Sequence, residues 1–373
     1  MKRETSIDIT RRLIAHVLAD TTDLAAEPWA EPAANFLDAD RWAREREQFF
    51  RNTPLVIGFA GELSEPGSFL TTDVLDVPVL VVRDKAGELR AFINACAHRG
   101  AQVATGCGKA ARLVCGFHGW SYSLDGQLVG RGRREAFEPD VASTSLQQLP
   151  VSESAGLIVI GLRPEMGQLR VAHALDDIAG EIEDYGFDQM ALVGNDRFDV
   201  AANWKLVVNL SHEGYHFQTL HRDSLGPMMT GHGVADEFGP HTRWSFPMRG
   251  IEALNEKSEG DWPALPPAAT NHTFFPGTVV VASAGGAQMI RTEPGVSPGT
   301  SVVYMSSVGR VGGDDEANRG AYELGRNIFE TEDLPAAEEC QRGIEAAKRP
   351  VVAGRNEPVV QMWQRRWSEM LDY

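Results

Sequence analysis

Two short loops constrain this chain more than anything else in it: Cys96-Ala-His98 and, after sixteen intervening residues, Cys115-Gly-Phe-His118. Each loop pairs one thiol with one imidazole. That set suits a [2Fe–2S] cluster in which two cysteines hold one iron and two histidines hold the other. Zinc is the competing reading, because two cysteines and two histidines also satisfy a tetrahedral structural site. Zinc modules bring two cysteines together on one turn, whereas both loops here are mixed and each reaches both irons of a dinuclear centre. The surroundings agree: residues 78–83, 90–95 and 111–114 read as short strands, and Asp84-Lys-Ala-Gly87 and Asp125-Gly126 are hairpin turn signals.

With their flanks, Cys96-Ala-His98-Arg99-Gly100-Ala101 and Cys115-Gly-Phe-His118-Gly-Trp120, the loops resemble the Rieske domain of ring-hydroxylating, non-heme iron oxygenase α subunits. The resemblance implies a second metal site. The segment Asn209-Leu-Ser-His-Glu213-Gly-Tyr215-His216-Phe-Gln-Thr-Leu-His221 supplies a carboxylate and two histidines, three and five residues apart. It is similar to the mononuclear iron motif of the same family. On a helix Glu213 and His216 share a face; His221 is rotated by about 140° from His216, so a helix must end or bulge before it.

Two histidines and one carboxylate form the facial triad of non-heme Fe(II) oxygenases and leave positions open for dioxygen. By resemblance the third ligand is an acid just ahead of a long C-terminal helix. Thr331-Glu332-Asp333-Leu-Pro335 matches, with Asp333 chosen and Glu332 the alternative. Acids near a helix N-terminus are also favoured by its dipole without any metal. The resemblance gives Glu213 another task, bridging the cluster of one subunit to the iron of its neighbour by accepting from His118 across the interface and from His216 in its own chain. A carboxylate so placed orients a metal-bound imidazole and raises its basicity. Many ring dioxygenases have Asp at this position, and Glu is similar to relatives acting on quaternary ammonium compounds. Tyr215 and Asn209 are candidates to support the network, with packing an equal reading for Tyr215.

At 373 residues, 43% hydrophobic and 23% charged, the chain is long enough for two full cores. Four cysteines are too few for a secreted disulfide framework, leaving Cys107 and Cys340 as free thiols in a reducing, cytoplasmic setting. No apolar signal core opens the sequence, and its apolar runs fall short of a membrane span. A net charge of −17 argues against nucleic acid and anionic membranes as partners. The local exception, Arg131-Gly-Arg133-Arg134, is either a solvated loop or a dock for an acidic electron donor.

The predicted class is α+β: an all-β Rieske [2Fe–2S] domain and a helix-grip catalytic domain, an antiparallel sheet with a long C-terminal helix. We divide it into an N-terminal helical segment packing on the catalytic domain (1–44), the Rieske domain (45–165) and the mononuclear iron domain (166–373). Helices are predicted over 6–20, 38–50, 172–185, 335–348 and 358–371, and strands within 55–162, from 198 toward 208, and over 278–283, 288–292 and 301–307. Pro350 stops the penultimate helix. Trp244, Phe246, Met248, Phe274 and Phe275 line a pocket or fill core, core being the better prior. His272 falls where the family often lines its pocket; His16, His173, His212, His232 and His241 have no ligand spacing.

No Gly-x-Gly-x-x-Gly opens a helix after a strand, so electrons must come from another protein. The resemblance implies a terminal oxygenase with O2 as co-substrate, a reductase and in some systems a ferredoxin as donors, and a homotrimer whose head-to-tail interface repeats the cluster-to-iron contact. Aromatic or alicyclic hydroxylation, as in aromatic hydrocarbon catabolism, leads as the substrate class, by mono- or dioxygenation. Oxidative demethylation or monooxygenation of a quaternary ammonium or methoxylated compound is the alternative, and a non-catalytic Rieske electron carrier a remote one.

Overall fold

β-rich segments joined by tight turns build the first half of the molecule. In the computed structural model, which describes residues 1–137, 144–283 and 285–371, Val77–Arg83 pairs antiparallel with Leu89–Ile93 across the Asp84–Gly87 turn. Asp84 Oδ1 accepts from the Ala86 and Glu88 amides at 2.8 and 3.0 Å, and Gly87 takes a φ of 87° that a side chain would resist. The sheet runs, in spatial order, Gln148–Leu149, Leu89–Ile93, Val77–Arg83, Ser68–Val74 and Cys107–Lys109. A second sheet joins Val151–Ser154, Leu157–Ile160 and Leu55–Phe59; a third joins Leu113–Val114, Ser121–Tyr122 and Leu128–Gly130. Cys96 and Cys115 lie in a core with Leu80, Phe92, Leu113, Trp120 and Tyr122. Both cysteine loops are therefore rooted in packed side chains.

The second half is a seven-stranded antiparallel sheet, in the order Met190–Val200, Ser301–Arg310, Gly286–Pro294, Thr278–Ala282, Ala268–Phe274, His241–Pro247 and Val234–Phe238. A helical run from Asp315 to Ala347 lies against it, with Tyr322, Phe329, Leu334 and Ala337 sharing a core with Val200, Ile290, Val303 and Met305. The architecture is α+β, as the sequence implies. Helix Arg3–Ala19 packs Ile9, Leu13 and Ile14 with Val234 and Phe274 of this sheet, and Arg12 meets Asp236 at 2.8 Å. The terminal helix Pro358–Leu371 buries Trp363 and Trp367 beside Trp204 and Phe275. No helix among the described residues is long and apolar enough to cross a membrane.

Several elements differ from the sequence reading. The stretch 172–185 is not one helix: Gln168–Ala172 and Asp176–Ile182 are separate, followed by a 3-10 turn at Glu183–Tyr185. The strand expected from 198 stops at Val200, where Asn203 caps a helix over Trp204–Asn209 by accepting from the Lys205 amide. The strand expected at 111–114 is reduced to Leu113–Val114, and residues 38–50 divide into helix Ala39–Glu45 and a widened π turn over Arg46–Arg51. The helix expected from Pro335 begins at Asp315, and a π turn at Phe329–Asp333 joins its halves. Asp333 thus lies within a long helical run, so the helix-terminus reading of this acid does not apply.

Candidate active site

Both cysteine loops fold by the same backbone rule. Cys96 C=O accepts from the Gly100 amide and Cys115 C=O from the Gly119 amide, at 2.8 and 2.9 Å. Each glycine takes positive φ, 77° and 72°, so the chain reverses and leads back onto its cysteine. The cysteines are 4% and 2% exposed and free of disulfides. Tyr122 Oη lies 3.2 Å from Cys96 Sγ and accepts from the Ala97 amide at 3.0 Å. The imidazoles stand outward: His98 stacks on Trp120, centroids 4.9 Å apart, and meets the His118 ring at 4.6 Å. His98 Nδ1 is buried with no hydrogen-bond partner. An orphaned ring nitrogen beside His118, above two buried thiols, is what a cluster held by two cysteines and two histidines requires.

Arg131 lies over the Trp120 and Phe137 rings at 5.7 and 5.4 Å, so the basic stretch is in part packed rather than a freely solvated loop.

The second constellation is built from irregular backbone. After helix Trp204–Asn209 the chain turns through Ser211–Gly214 into a 3-10 turn at Tyr215–Gln218, so Glu213 and His216 are not on a common α-helix. Glu213 stands ahead of that turn: one carboxylate oxygen accepts from the Tyr215 and His216 amides, and the other meets His216 Nδ1. The segment is anchored from outside by His212, whose Nε2 meets Thr273 Oγ1 at 3.2 Å, and by Asn271, which donates to Ser211 C=O at 2.8 Å. Burial pushes His212 down to about 3, so it stays neutral and stacks on Trp363.

His216, His221 and Asp333 converge, with one ligand-type atom from each lying within 4.8 Å of the others. Asp333 Oδ1 is 3.1 Å from His221 Nε2 and 3.8 Å from His216 Nε2. Glu332 is elsewhere: its Oε2 meets the opposite nitrogen, His221 Nδ1, at 2.7 Å and accepts from Ser224 Oγ at 2.8 Å. Each histidine is thus held through Nδ1 by its own glutamate while Nε2 faces the shared centre, a donor set that fits a mononuclear metal of the two-histidine, one-carboxylate kind.

Phe217 packs between this centre and Phe246, whose rings meet edge to face at 4.9 Å. Trp244, Phe246, Phe274 and Phe275 are buried core, whereas Met248 is 49% exposed. The Tyr215 side chain is 70% exposed, and the residue meets Glu213 through its amide. Sequence reasoning missed Glu332 as the His221 partner, Tyr122 as the Cys96 partner and His212 as an anchor. The adjacency of Glu332 to Asp333 was the one available signal.

Comparison with known proteins agrees with this geometry. The Rieske [2Fe–2S] domain profile matches residues 53–145, and that of the ring hydroxylating alpha subunit catalytic domain matches residues 187–373. The glycine betaine monooxygenase oxygenase subunit of Chromohalobacter salexigens is 30% identical over 203 residues, 53% of this chain. The match spans only 44% of that protein, so the chain aligns with less than half of its length. The carnitine monooxygenase oxygenase subunit of Acinetobacter baumannii is 26% identical over 87% of this chain and 88% of its own. The crystal structure of the quaternary ammonium Rieske monooxygenase CntA with L-carnitine superposes with a TM-score of 0.78 over 93% of this chain and 96% of that one, at 21% identity, a likeness of fold. The chain belongs to the ring hydroxylating α-subunit family, the Rieske-type oxygenases, whose cofactors are a Rieske [2Fe–2S] cluster and a mononuclear iron.

Proposed function

We propose that this chain is the terminal oxygenase of a monooxygenase or oxidative demethylase acting on a quaternary ammonium compound, with aromatic or alicyclic hydroxylation as the second reading. The convergence of His216, His221 and Asp333 in a chain that also carries the Cys96–His98 and Cys115–His118 loops supports the oxygenase reading. The sequence put the aromatic class first. The names of the relatives reverse that order, because glycine betaine and carnitine oxygenase subunits stand among them, and Glu213 in place of the more common Asp agrees.

In this reading Cys96, His98, Cys115 and His118 hold the cluster, and His216, His221 and Asp333 hold the iron. When bound, the cluster supplies single electrons and the iron activates dioxygen. The protein's part is positional. Glu213 and Glu332 keep Nδ1 of His216 and His221 protonated and each ring fixed, so that Nε2 is the ligating nitrogen. With His216, His221 and Asp333 as its protein ligands, a bound iron would keep positions open for dioxygen. Phe217 and Phe246 keep the wall beside the centre dry.

Residues 45–165 form the electron-entry domain and 166–373 the catalytic domain, with 1–44 bracing the latter. A separate reductase, alone or with a ferredoxin, supplies electrons, and a cytoplasmic homotrimer sets His118 of one copy against Glu213 of the next. The test is oxygen uptake by the iron-loaded protein with an electron donor and glycine betaine, L-carnitine or choline, compared with a panel of aromatic hydrocarbons. Substrate-dependent uptake with an ammonium compound is the expected result, whereas uptake only with aromatics would reverse the order of the two readings.

A further inference from the structure

The cluster-bearing half and the catalytic half meet in one apolar core, in which Leu70, Val74, Val79 and Val81 lie with Trp204, Phe275 and Trp363. Apolar contact is non-directional, so it holds two bodies together without fixing the angle between them. A group of directional bonds crosses the same seam at the tip of the hairpin formed by Ser68–Val74 and Val77–Arg83. Leu75, first in its two-residue turn, has a φ of 56°, a conformation that glycine usually takes. Its amide donates to Glu293 Oε2 at 2.5 Å. Glu293 pairs with Arg291, and the two side chains are 3% and 4% exposed. Arg291 Nη2 donates to Thr72 Oγ1 at 2.8 Å and to the Asp73 carbonyl at 3.1 Å, and the guanidinium lies over the Tyr304 ring at 4.1 Å.

Each side of this contact leads to one of the two centres. Just beyond the tip, Pro78 C=O accepts from the Asn94 amide at 2.8 Å. Asn94 Oδ1 in turn accepts from the Val103 and Ala104 amides at 2.9 and 3.3 Å, which closes the loop carrying Cys96 and His98. On the catalytic side, Ile290 precedes Arg291 on strand Gly286–Pro294 and shares a core with Phe329 and Leu334, at either end of the π turn that carries Asp333. Buried ion pairs add little net stability over well-packed apolar residues of similar volume, yet their bonds are specific in angle.

We infer that Arg291 and Glu293 are positioning residues: they latch the hairpin tip onto strand Gly286–Pro294 and so set the orientation of the cluster domain on the catalytic domain, which decides how His118 of one copy reaches Glu213 of the next. The inference rests on the subunit arrangement proposed above.

The test compares the parent with the double variant Arg291→Met, Glu293→Gln, both carrying both iron centres. The double variant removes the ion pair without stranding a charge and keeps an acceptor for the Leu75 amide. Pulsed EPR measures distances from the reduced cluster to a nitroxide on Glu323→Cys, an exposed position of helix Asp315–Ile328, with the exposed native thiols removed by Cys107→Ser and Cys340→Ser. The parent should give a narrow distribution and the double variant a broadened or shifted one, with iron and sulfide contents and the cluster's reduction potential unchanged. Reoxidation of the reduced cluster by oxygen with substrate, followed by stopped-flow absorption, should slow at least about tenfold. Thr72→Val, which deletes one acceptor on the hairpin, should move both readouts the same way to a smaller extent, and it keeps the inference testable should the double variant fail to fold. Arg291→Lys, which keeps the charge but not the fork, should fall between parent and double variant. Unchanged distances overturn the latch, even if the variants are less stable to urea. Altered distances with an unchanged reoxidation rate overturn the positioning role. A parent whose cluster is not reoxidised with any substrate tried would overturn the functional reading, and the distances would still uphold or overturn the latch.

Discussion

Glu45 and Lys205 form a buried ion pair that joins the N-terminal helices to the helix preceding the histidine turn, and its removal should be asymmetric. Lys205 Nζ lies 2.5 Å from Glu45 Oε1, with the side chains 1% and 0% exposed. Glu45 also accepts from Trp204 Nε1 and Arg41 Nε, each at 2.9 Å. Lys205→Met leaves Glu45 with two donors and replaces an ammonium that burial has depressed to about 8, so it should cost under about 1.5 kcal/mol. Glu45→Gln leaves Lys205 without its carboxylate. At pH 7 that lysine escapes by losing its proton, below its native pKa of about 8, which costs on the order of 1 kcal/mol. Replacing the charge-assisted bond to Arg41 by a neutral one adds roughly 2 kcal/mol, for about 3 kcal/mol in total.

The pH dependence follows from the sign of the shift. A lysine whose native pKa is lowered below its unfolded value of about 10.4 makes the protein more stable as pH rises between those values, because the unfolded chain then binds more protons. In Glu45→Gln that window opens below pH 7, whereas in the parent it opens near 8. The deficit of the variant should therefore shrink by on the order of 1 kcal/mol, from about 3 to about 2, between pH 7 and 9. Urea denaturation of the parent, both single variants and the double variant at the two pH values measures this, with the double variant recovering most of the loss. Equal costs for the two single substitutions, or a deficit that does not change with pH, would refute the argument.

Four further outcomes are expected. His221→Ala should lower iron from three to two per chain while the reduced cluster keeps its EPR signal; loss of the cluster instead would mean the two centres are not separate. Glu213→Gln should leave both centres loaded, as judged by metal analysis, yet impair coupled turnover. Tyr122→Phe removes the hydroxyl 3.2 Å from Cys96 Sγ and should lower the reduction potential of the cluster, because hydrogen bonds to cluster sulfur raise it; redox titration decides this. Burial raises the Glu62 carboxyl to about 7, with the Phe59 amide opposing. The folded chain then binds the extra proton, so stability should fall by about 3 kcal/mol as pH rises from about 4.5 to 7, and Glu62→Gln should abolish that slope in denaturation curves.

The cluster loops were legible in the sequence because all four side chains come from two local turns with a glycine four residues after each cysteine. His216 and His221 were legible for the same reason. Asp333 and Glu332 were not separable, since their neighbouring positions meet opposite nitrogens of one ring only once the backbone widens into a π turn. Strand His241–Pro247 escaped notice because it is buried at every position and carries His241, Thr242, Arg243 and Ser245, so no alternation marks it. Helix Asp315–Ile328 escaped because its exposed polar residues read as loop. The substrate class has no local motif in the sequence.

The His221 ring is gripped at both ends by consecutive residues, Glu332 on Nδ1 and Asp333 beside Nε2. Its orientation is therefore set by the fold before any metal arrives. Two imidazoles with one carboxylate bind the later first-row divalent ions at least as readily as Fe(II). Which metal the centre carries is then decided by what the cell supplies, and protein made in zinc- or nickel-rich medium should be well folded, cluster-bearing and inert.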